Sequence, residues 1–298
     1  MRRALYTDDH ENYRHTVRRF LEQNVVPHID RWEDDGVIDR DIYRQAAQAG
    51  LYALSVPETY DGSGESDFRY RLVVCEEVAR VHASSFGLTL VVQDDLVLAY
   101  LTDLTTEHQR EHWLPGFASG ELLGSVAMTE PGAGSDLRGI RTTAVRQGDS
   151  WIINGQKTFI SSGIMSDLVV VAARTDPEAR SRGFSLFVVE RGTPGFERGR
   201  TLDKIGLRGQ DTAELFFDDA RVPSANLLGE EGLGLQYLMS HLPRERLGVT
   251  ATAISSARVI FDATVEYCKQ RSAFGRQIAE FQNTRFELAT MATELDNA

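Results

Sequence analysis

The chain has 298 residues, enough to bury a large core in two or three domains, and an ordinary globular composition with 42% hydrophobic and 26% charged residues. A formal net charge of −12 argues against general binding to nucleic acid or to membrane surfaces, and a polyanionic ligand would need locally clustered arginines to enter that field. The two cysteines, Cys75 and Cys268, stand too far apart in sequence to suggest a disulfide framework or zinc spacing, so a reducing, cytoplasmic setting is the simplest expectation. The opening MRRALYTDDHENY contains no apolar signal-like stretch, and no apolar run reads as long enough to cross a membrane.

Residues 1–122 read as helical. Asp39 is placed to cap a helix through Ile42, Ala46 and Ala47 that stops at Gly50, and Tyr70–Val81 predicts another. Thr106 with Gln109 fits a capping box, and Pro115 is expected to end that short helix. Within it, His108-Gln109-Arg110-Glu111-His112 fits H-x-x-E-H, in which two histidines on one helix face can bind zinc. No acid follows in an obvious third-ligand motif, so an exposed first turn is the simpler reading and no metal is expected. His28, His82 and His241 read as structural.

From 123 to 232 the pattern changes to short β-branched and aromatic runs. Met128-Thr129-Glu130-Pro131-Gly132-Ala133-Gly134-Ser135-Asp136 follows an apolar run and offers backbone N–H groups and short hydroxyls to one flat, polar ligand. It lacks the G-x-G-x-x-G spacing of a dinucleotide fingerprint. Ser150–Gly155 predicts a hairpin leading into a strand over Lys157–Ser161, where Phe159 and Ser161, two apart, share a face. Leu168–Ala173, Phe184–Glu190 and Ala213–Phe217 predict further strands, separated by Gly and Pro turns, in an antiparallel domain. From 233 to 298 helical spacing returns at Ile254, Ala257, Phe261, Val265 and Cys268. Leu288, Met291, Ala292 and Leu295 continue it without a stop signal, so a further helical segment is expected beyond the last residue. Helices, strands, then helices place the chain in the α+β class.

Four motifs in this order, MTEPGAGSD at 128–136, INGQKTFIS at 153–161, KIGLRGQDTAELFFDDARVP at 204–223 and QRSAFGRQI at 270–278 with Phe281-Gln282 after it, resemble the acyl-CoA dehydrogenase family along essentially the whole chain. The resemblance implies an N-terminal helical domain, a middle antiparallel β-barrel-like domain and a C-terminal helical bundle, incomplete here. It implies FAD as cofactor and a homo-oligomer, a tetramer. Met128 and Thr129 would meet the pyrimidine edge of the flavin, and Gly134 and Ser135 belong to the same cofactor loop, with Ser135 at the pyrophosphate and near the substrate. Phe159 would pack on the ring system and Ser161 would hydrogen-bond near N5, where many relatives carry tryptophan and threonine. Arg271, Phe274 and Gln282 would reach across a subunit interface to a neighbour's FAD, a role that suits the planar fork of arginine.

The same resemblance implies oxidation of a saturated acyl thioester, on coenzyme A or an acyl carrier protein, to the trans-2-enoyl thioester. The base takes the α-proton, the β-hydride goes to flavin N5, and electrons leave to an electron-transfer flavoprotein. Leu242-Pro243-Arg244-Glu245-Arg246-Leu247 resembles the long-chain and isovaleryl branch, which makes Glu245 the base. Pro243 suits a first helical turn, so Glu245 is expected near a helix N-terminus, where the dipole favours its ionised form and a bound acyl chain opposes it. The bland alternative is a first-turn acid paired with Arg244 or Arg246. Arg246 is expected to hold the substrate end of the site and Arg244 to contact the CoA moiety; Arg180 and Arg182 face either a CoA phosphate or solvent. A flavin monooxygenase or oxidase on the same fold, and a non-catalytic subunit lacking a C-terminal segment, are the alternatives.

Overall fold

Helices at apolar spacing make the first layer of the computed structural model, which describes residues 5–179 and 182–298. They are α1 (Asp8–Phe20), α2 (Ile29–Asp35), α3 (Asp41–Gln48), α4 (Phe68–Arg80), α5 (Ser84–Val91), α6 (Leu98–Asp103) and α7 (Glu107–Ala118). The capping box of Thr106 and Gln109 starts α7 as expected. Pro115 does not end it: the helix runs to Ala118, with Trp113, Leu114 and Phe117 buried, so packing overrides the missing N–H.

A π-helical turn, Val92–Val97, joins α5 to α6. Ser84–Asp103 is, by length and composition, apolar enough to cross a membrane, contrary to the expectation, but 83% of its most apolar stretch is buried inside the fold. The π-turn also buries Gln93, Asp94 and Asp95. Gln93 bonds both polar groups of Gly124, donating to its carbonyl at 2.9 Å and accepting its N–H at 2.7 Å. Asp94 accepts the Leu54 N–H at 3.0 Å and Asp95 accepts from Arg71 at 3.1 Å.

The strands are β1 (Gly124–Ala127), β2 (Thr143–Gln147), β3 (Ser150–Ser161), β4 (Leu168–Arg174), β5 (Phe184–Glu190), β6 (Phe196–Thr201), β7 (Thr212–Pro223) and β8 (Leu227–Leu228). They form one sheet in the order β6-β7-β3-β2-β4-β5-β8, with β1 beside β4. The pairing is not purely antiparallel as expected, because β1 runs parallel to β4 and the β2–β3 hairpin serves as the long crossover such a pair requires. Alternation along β4 divides the core: Leu168, Val170 and Ala172 face the helices, while Val169, Val171 and Ala173 join Trp151, Phe187, Leu215 and Phe217 within the β domain. The predicted hairpin over Ser150–Gly155 and the strand after it are one strand, β3, bulged after Ile153 and after Lys157; the turn of the hairpin lies earlier, at Gly148-Asp149. β7 continues past Phe217, since Asn154 and Asp219 exchange hydrogen bonds at 2.9 and 2.8 Å beside the first bulge.

Helix α8 (Gly234–Gln270) then packs on α4, followed by a small hairpin, β9 (Ser272–Ala273) and β10 (Arg276–Gln277), and α9 (Gln282–Asn297). At Gly248 of α8 an added Cβ would stand 2.6 Å from the Asp95 carboxylate, so glycine is what lets α8 close on the π-turn.

Candidate active site

The end of β1, the second bulge of β3, the α5–π-turn helix and α8 converge on a cleft of about 220 Å3. Met128, Thr129, Phe159, Ser161 and Glu245, which the sequence places in three separate segments, all line it. Leu88, Val91, Val92 and Leu96 form an apolar wall on the helical side.

The β side is built on a buried ion pair. Lys157 Nζ lies 2.9 Å from Glu130 Oε1 and donates to the Met128 carbonyl at 3.1 Å. Glu130 also accepts the Arg141 N–H at 2.7 Å, the Thr142 N–H at 3.0 Å and the Thr142 hydroxyl at 2.6 Å. Burial pushes the Lys157 ammonium down to about 8. Burial alone would raise the Glu130 carboxyl, but its donors, Lys157 first, hold it below the usual range. The pair fixes the start of the 128–136 loop from beneath, and Thr158 N–H closes it by donating to the Thr129 carbonyl at 3.0 Å.

Phe159 adopts φ 59°, a left-handed conformation that costs a bulky residue about 1–3 kcal/mol. The strand alternation expected for Phe159 and Ser161 is broken by the bulge between Lys157 and Ile160, so Phe159, Ile160 and Ser161 all border the cleft. Phe159 is 68% exposed. A strained backbone that holds an apolar ring open to the cleft is a platform for a flat ligand. At Gly134 a Cβ would meet no atom within 4 Å and φ is not left-handed, so the protein itself does not demand glycine there, whereas a group lying along the loop would. These features fit a flavin nucleotide, with its isoalloxazine on the ring platform and its phosphates along the loop. Gly134, Ser135 and Asp136 are exposed on that loop, outside the cleft lining.

Glu245 is not near a helix N-terminus. It stands eleven residues past Gly234 in a helix that continues through Pro243, so the dipole argument does not apply. Proline here only deprives the Met239 carbonyl of a donor, and the contacts of α8 with the π-turn carry the helix across. Burial raises the Glu245 carboxyl, partly opposed by Arg246, and its Oε2 is buried with no hydrogen-bond partner among the described residues. Arg246 is exposed. Arg244 turns away from the cleft, towards Ser55 Oγ at 3.4 Å and the Asp94 carbonyl at 3.5 Å. Arg271, Phe274 and Gln282 lie on the surface around the β9–β10 hairpin, with Phe274 96% exposed, and none lines this chain's cleft. Arg182 is exposed, and Arg180 lies outside the described residues. His112 is exposed on α7, 3.8 Å from Glu190.

The family models for the acyl-CoA dehydrogenase N-terminal, middle and C-terminal domains match residues 7–121, 125–220 and 232–298. This chain belongs to the acyl-CoA dehydrogenase family. It is 43% identical over 295 residues to the long-chain specific acyl-CoA dehydrogenase of Sus scrofa, covering 98% of this chain and 68% of that one. The crystal structure of an acyl-CoA dehydrogenase from Geobacillus kaustophilus superposes with a TM-score of 0.95 at 49% identity, over 98% of this chain and 77% of that one. A glutaryl-CoA dehydrogenase from Mycobacterium smegmatis, solved in complex with FADH2, superposes with a TM-score of 0.87 at 30% identity, over 97% and 73%.

The sequence reading missed the Glu130–Lys157 pair and the apolar wall. A lysine among the apolar positions of a strand, three residues before Ile160, was the available signal for the first. The apolar run Leu88–Leu98, interrupted by Thr89, Gln93, Asp94 and Asp95, was the signal for the second.

Proposed function

We propose that the chain is an FAD-dependent dehydrogenase that converts a saturated acyl-CoA thioester to the trans-2-enoyl thioester, with Glu245 as the base for the α-proton. One observation carries this reading: a half-buried carboxylate, one oxygen of which has no partner among the described residues, opens onto the same cleft as Met128, Thr129, Phe159 and Ser161. Bound FAD supplies the acceptor for the β-hydrogen. Phe159 offers the ring face, Ser161 a hydroxyl, and Met128 and Thr129 polar groups at the rim, where donors stabilise the charge of the reduced flavin. Gly134 and Ser135 take the pyrophosphate. Leu88, Val91, Val92 and Leu96 receive the acyl chain, which excludes water and makes Glu245 a stronger base for the moment of proton transfer. Arg246, exposed beside Glu245, suits the polar end of the substrate. Arg244 is engaged elsewhere and holds α8 on the π-turn.

Arg271, Phe274 and Gln282 face solvent on one chain, which suits completion of a neighbour's cofactor site in a homotetramer. An electron-transfer flavoprotein is the acceptor that the family resemblance supplies, and a reducing cytoplasm suits the two buried free cysteines. The test is anaerobic mixing of the purified yellow protein with a panel of straight and branched acyl-CoA thioesters. The reading expects flavin bleaching with formation of the enoyl thioester. Protein that holds FAD but bleaches with none of them, and needs another reductant and oxygen, would be a monooxygenase instead.

A further inference from the structure

Tyr100, on α6, is fully buried, and its hydroxyl has no hydrogen-bond partner among the described residues. Leaving a buried hydroxyl unpaired is costly, and phenylalanine would pack as well. The ring stacks on His241 of α8, centroids 4.5 Å apart at 21°. His241 is itself fixed, with Nδ1 2.8 Å from the Tyr237 carbonyl and Nε2 3.1 Å from Asp103. His241 and Glu245 are four residues apart and share a helix face; Leu96 and Tyr100 are related in the same way across the π-turn, and Leu96 borders the cleft beside Glu245. The stack therefore sets the phenol against the face of α8 that carries Glu245, one helical turn from the base. Burial raises the Tyr100 hydroxyl, and the Glu245 carboxylate is the charge that raises it further. Among the described residues, an orphaned acceptor, Glu245 Oε2 in the cleft lining, thus faces the same buried region as an orphaned donor behind that lining, the Tyr100 hydroxyl.

Of the other ionisable groups nearby, Arg246 alone acts on Glu245, from solvent, and the rest are engaged elsewhere. On α8, Arg246 is exposed and Arg244 reaches the Asp94 carbonyl; on the facing helix, Asp95 is paired with Arg71, buried Asp94 accepts the Leu54 N–H, and Asp103 meets His241. We propose that Tyr100 is the positioning residue of Glu245, its hydroxyl donating a hydrogen bond to Oε2 of the ionised carboxylate once the acyl chain covers the cleft. Bonds to catalytic groups commonly tighten only in the substrate complex. This one keeps the base ionised against the desolvation that the acyl chain imposes, and it fixes which oxygen is left to face the α-carbon. The inference rests on Glu245 being the base.

Tyr100→Phe retains the ring and the His241 stack and removes the hydroxyl alone. In the flavin-loaded protein at saturating acyl-CoA, the acidic limb of the bleaching rate against pH should move up by about one pH unit, with substrate affinity unchanged. A second readout needs no turnover. With a non-reacting thioether analogue bound, the carbon-13 carboxyl signal of Glu245, identified by its loss in Glu245→Gln, should titrate about one unit higher in Tyr100→Phe. Wild-type midpoints in both would overturn the proposal and leave Tyr100 as packing. If Glu245→Gln itself bleached at the wild-type rate, the assignment of the base would fail, whatever Tyr100→Phe did.

Discussion

Lys157→Met tests the buried pair beneath the 128–136 loop. The Lys157 and Glu130 side chains are 0% and 6% exposed. Removing one partner of such a pair costs about 3–5 kcal/mol, because the other charge is stranded. Glu130 would keep three donors, from Arg141 and Thr142, so about 3 kcal/mol is expected here. The cost depends on pH. Lys157 titrates near 8 in the fold against 10.5 unfolded, so above 8 the unfolded chain holds more protons. Its contribution to stability is complete above 10.5 and lost as pH falls through about 8, and the deficit of the variant should widen over that interval. Loss of the bond to the Met128 carbonyl should also weaken flavin retention. Urea unfolding at pH 7 and 9.5, with released flavin read by fluorescence, measures both. Glu130→Gln with Lys157→Met leaves no stranded charge and should recover part of the stability. A single variant within about 0.5 kcal/mol of wild type that holds FAD normally would refute the reasoning.

Phe159→Ala should leave the stability of flavin-free protein nearly unchanged, since the ring is exposed, yet weaken FAD about tenfold through lost ring contact. Lower thermal stability with unchanged FAD affinity would show the ring serving the core instead. Asp94 is buried and its carboxyl is pushed up from 3.8 to about 6, chiefly by burial. A raised carboxyl contributes stability that is present below 3.8 and lost as pH rises through 6, so Asp94→Asn should gain up to about 3 kcal/mol relative to wild type between pH 4 and 8. Urea midpoints at the two pH values check this, and a difference that does not change with pH would contradict it.

The order of helices, strands and helices was legible because periodicity is local. The β side of the cleft was legible for a different reason: Met128-Thr129 and Phe159–Ser161, which line it, stand in segments short enough to be read as motifs. What the sequence hid was long-range. Pro115 and Pro243 read as helix boundaries, but tertiary packing carries both helices through them. That moved Glu245 from a helix end to a helix interior and replaced a dipole argument with a desolvation argument. The bulge at Phe159 could not be read from alternation, because it depends on register with β7. Tyr100 and His241 are 141 positions apart, and only the closure of α8 on the π-turn joins them.

Single-turnover mixing of Glu245→Gln with saturating acyl-CoA tests the central claim most directly. The variant keeps the shape of the side chain and removes its basicity. It should bind FAD and perturb the flavin spectrum on adding substrate, as wild type does, while bleaching slows by at least about a thousandfold. Bleaching within a few-fold of wild type would mean that another group removes the α-proton.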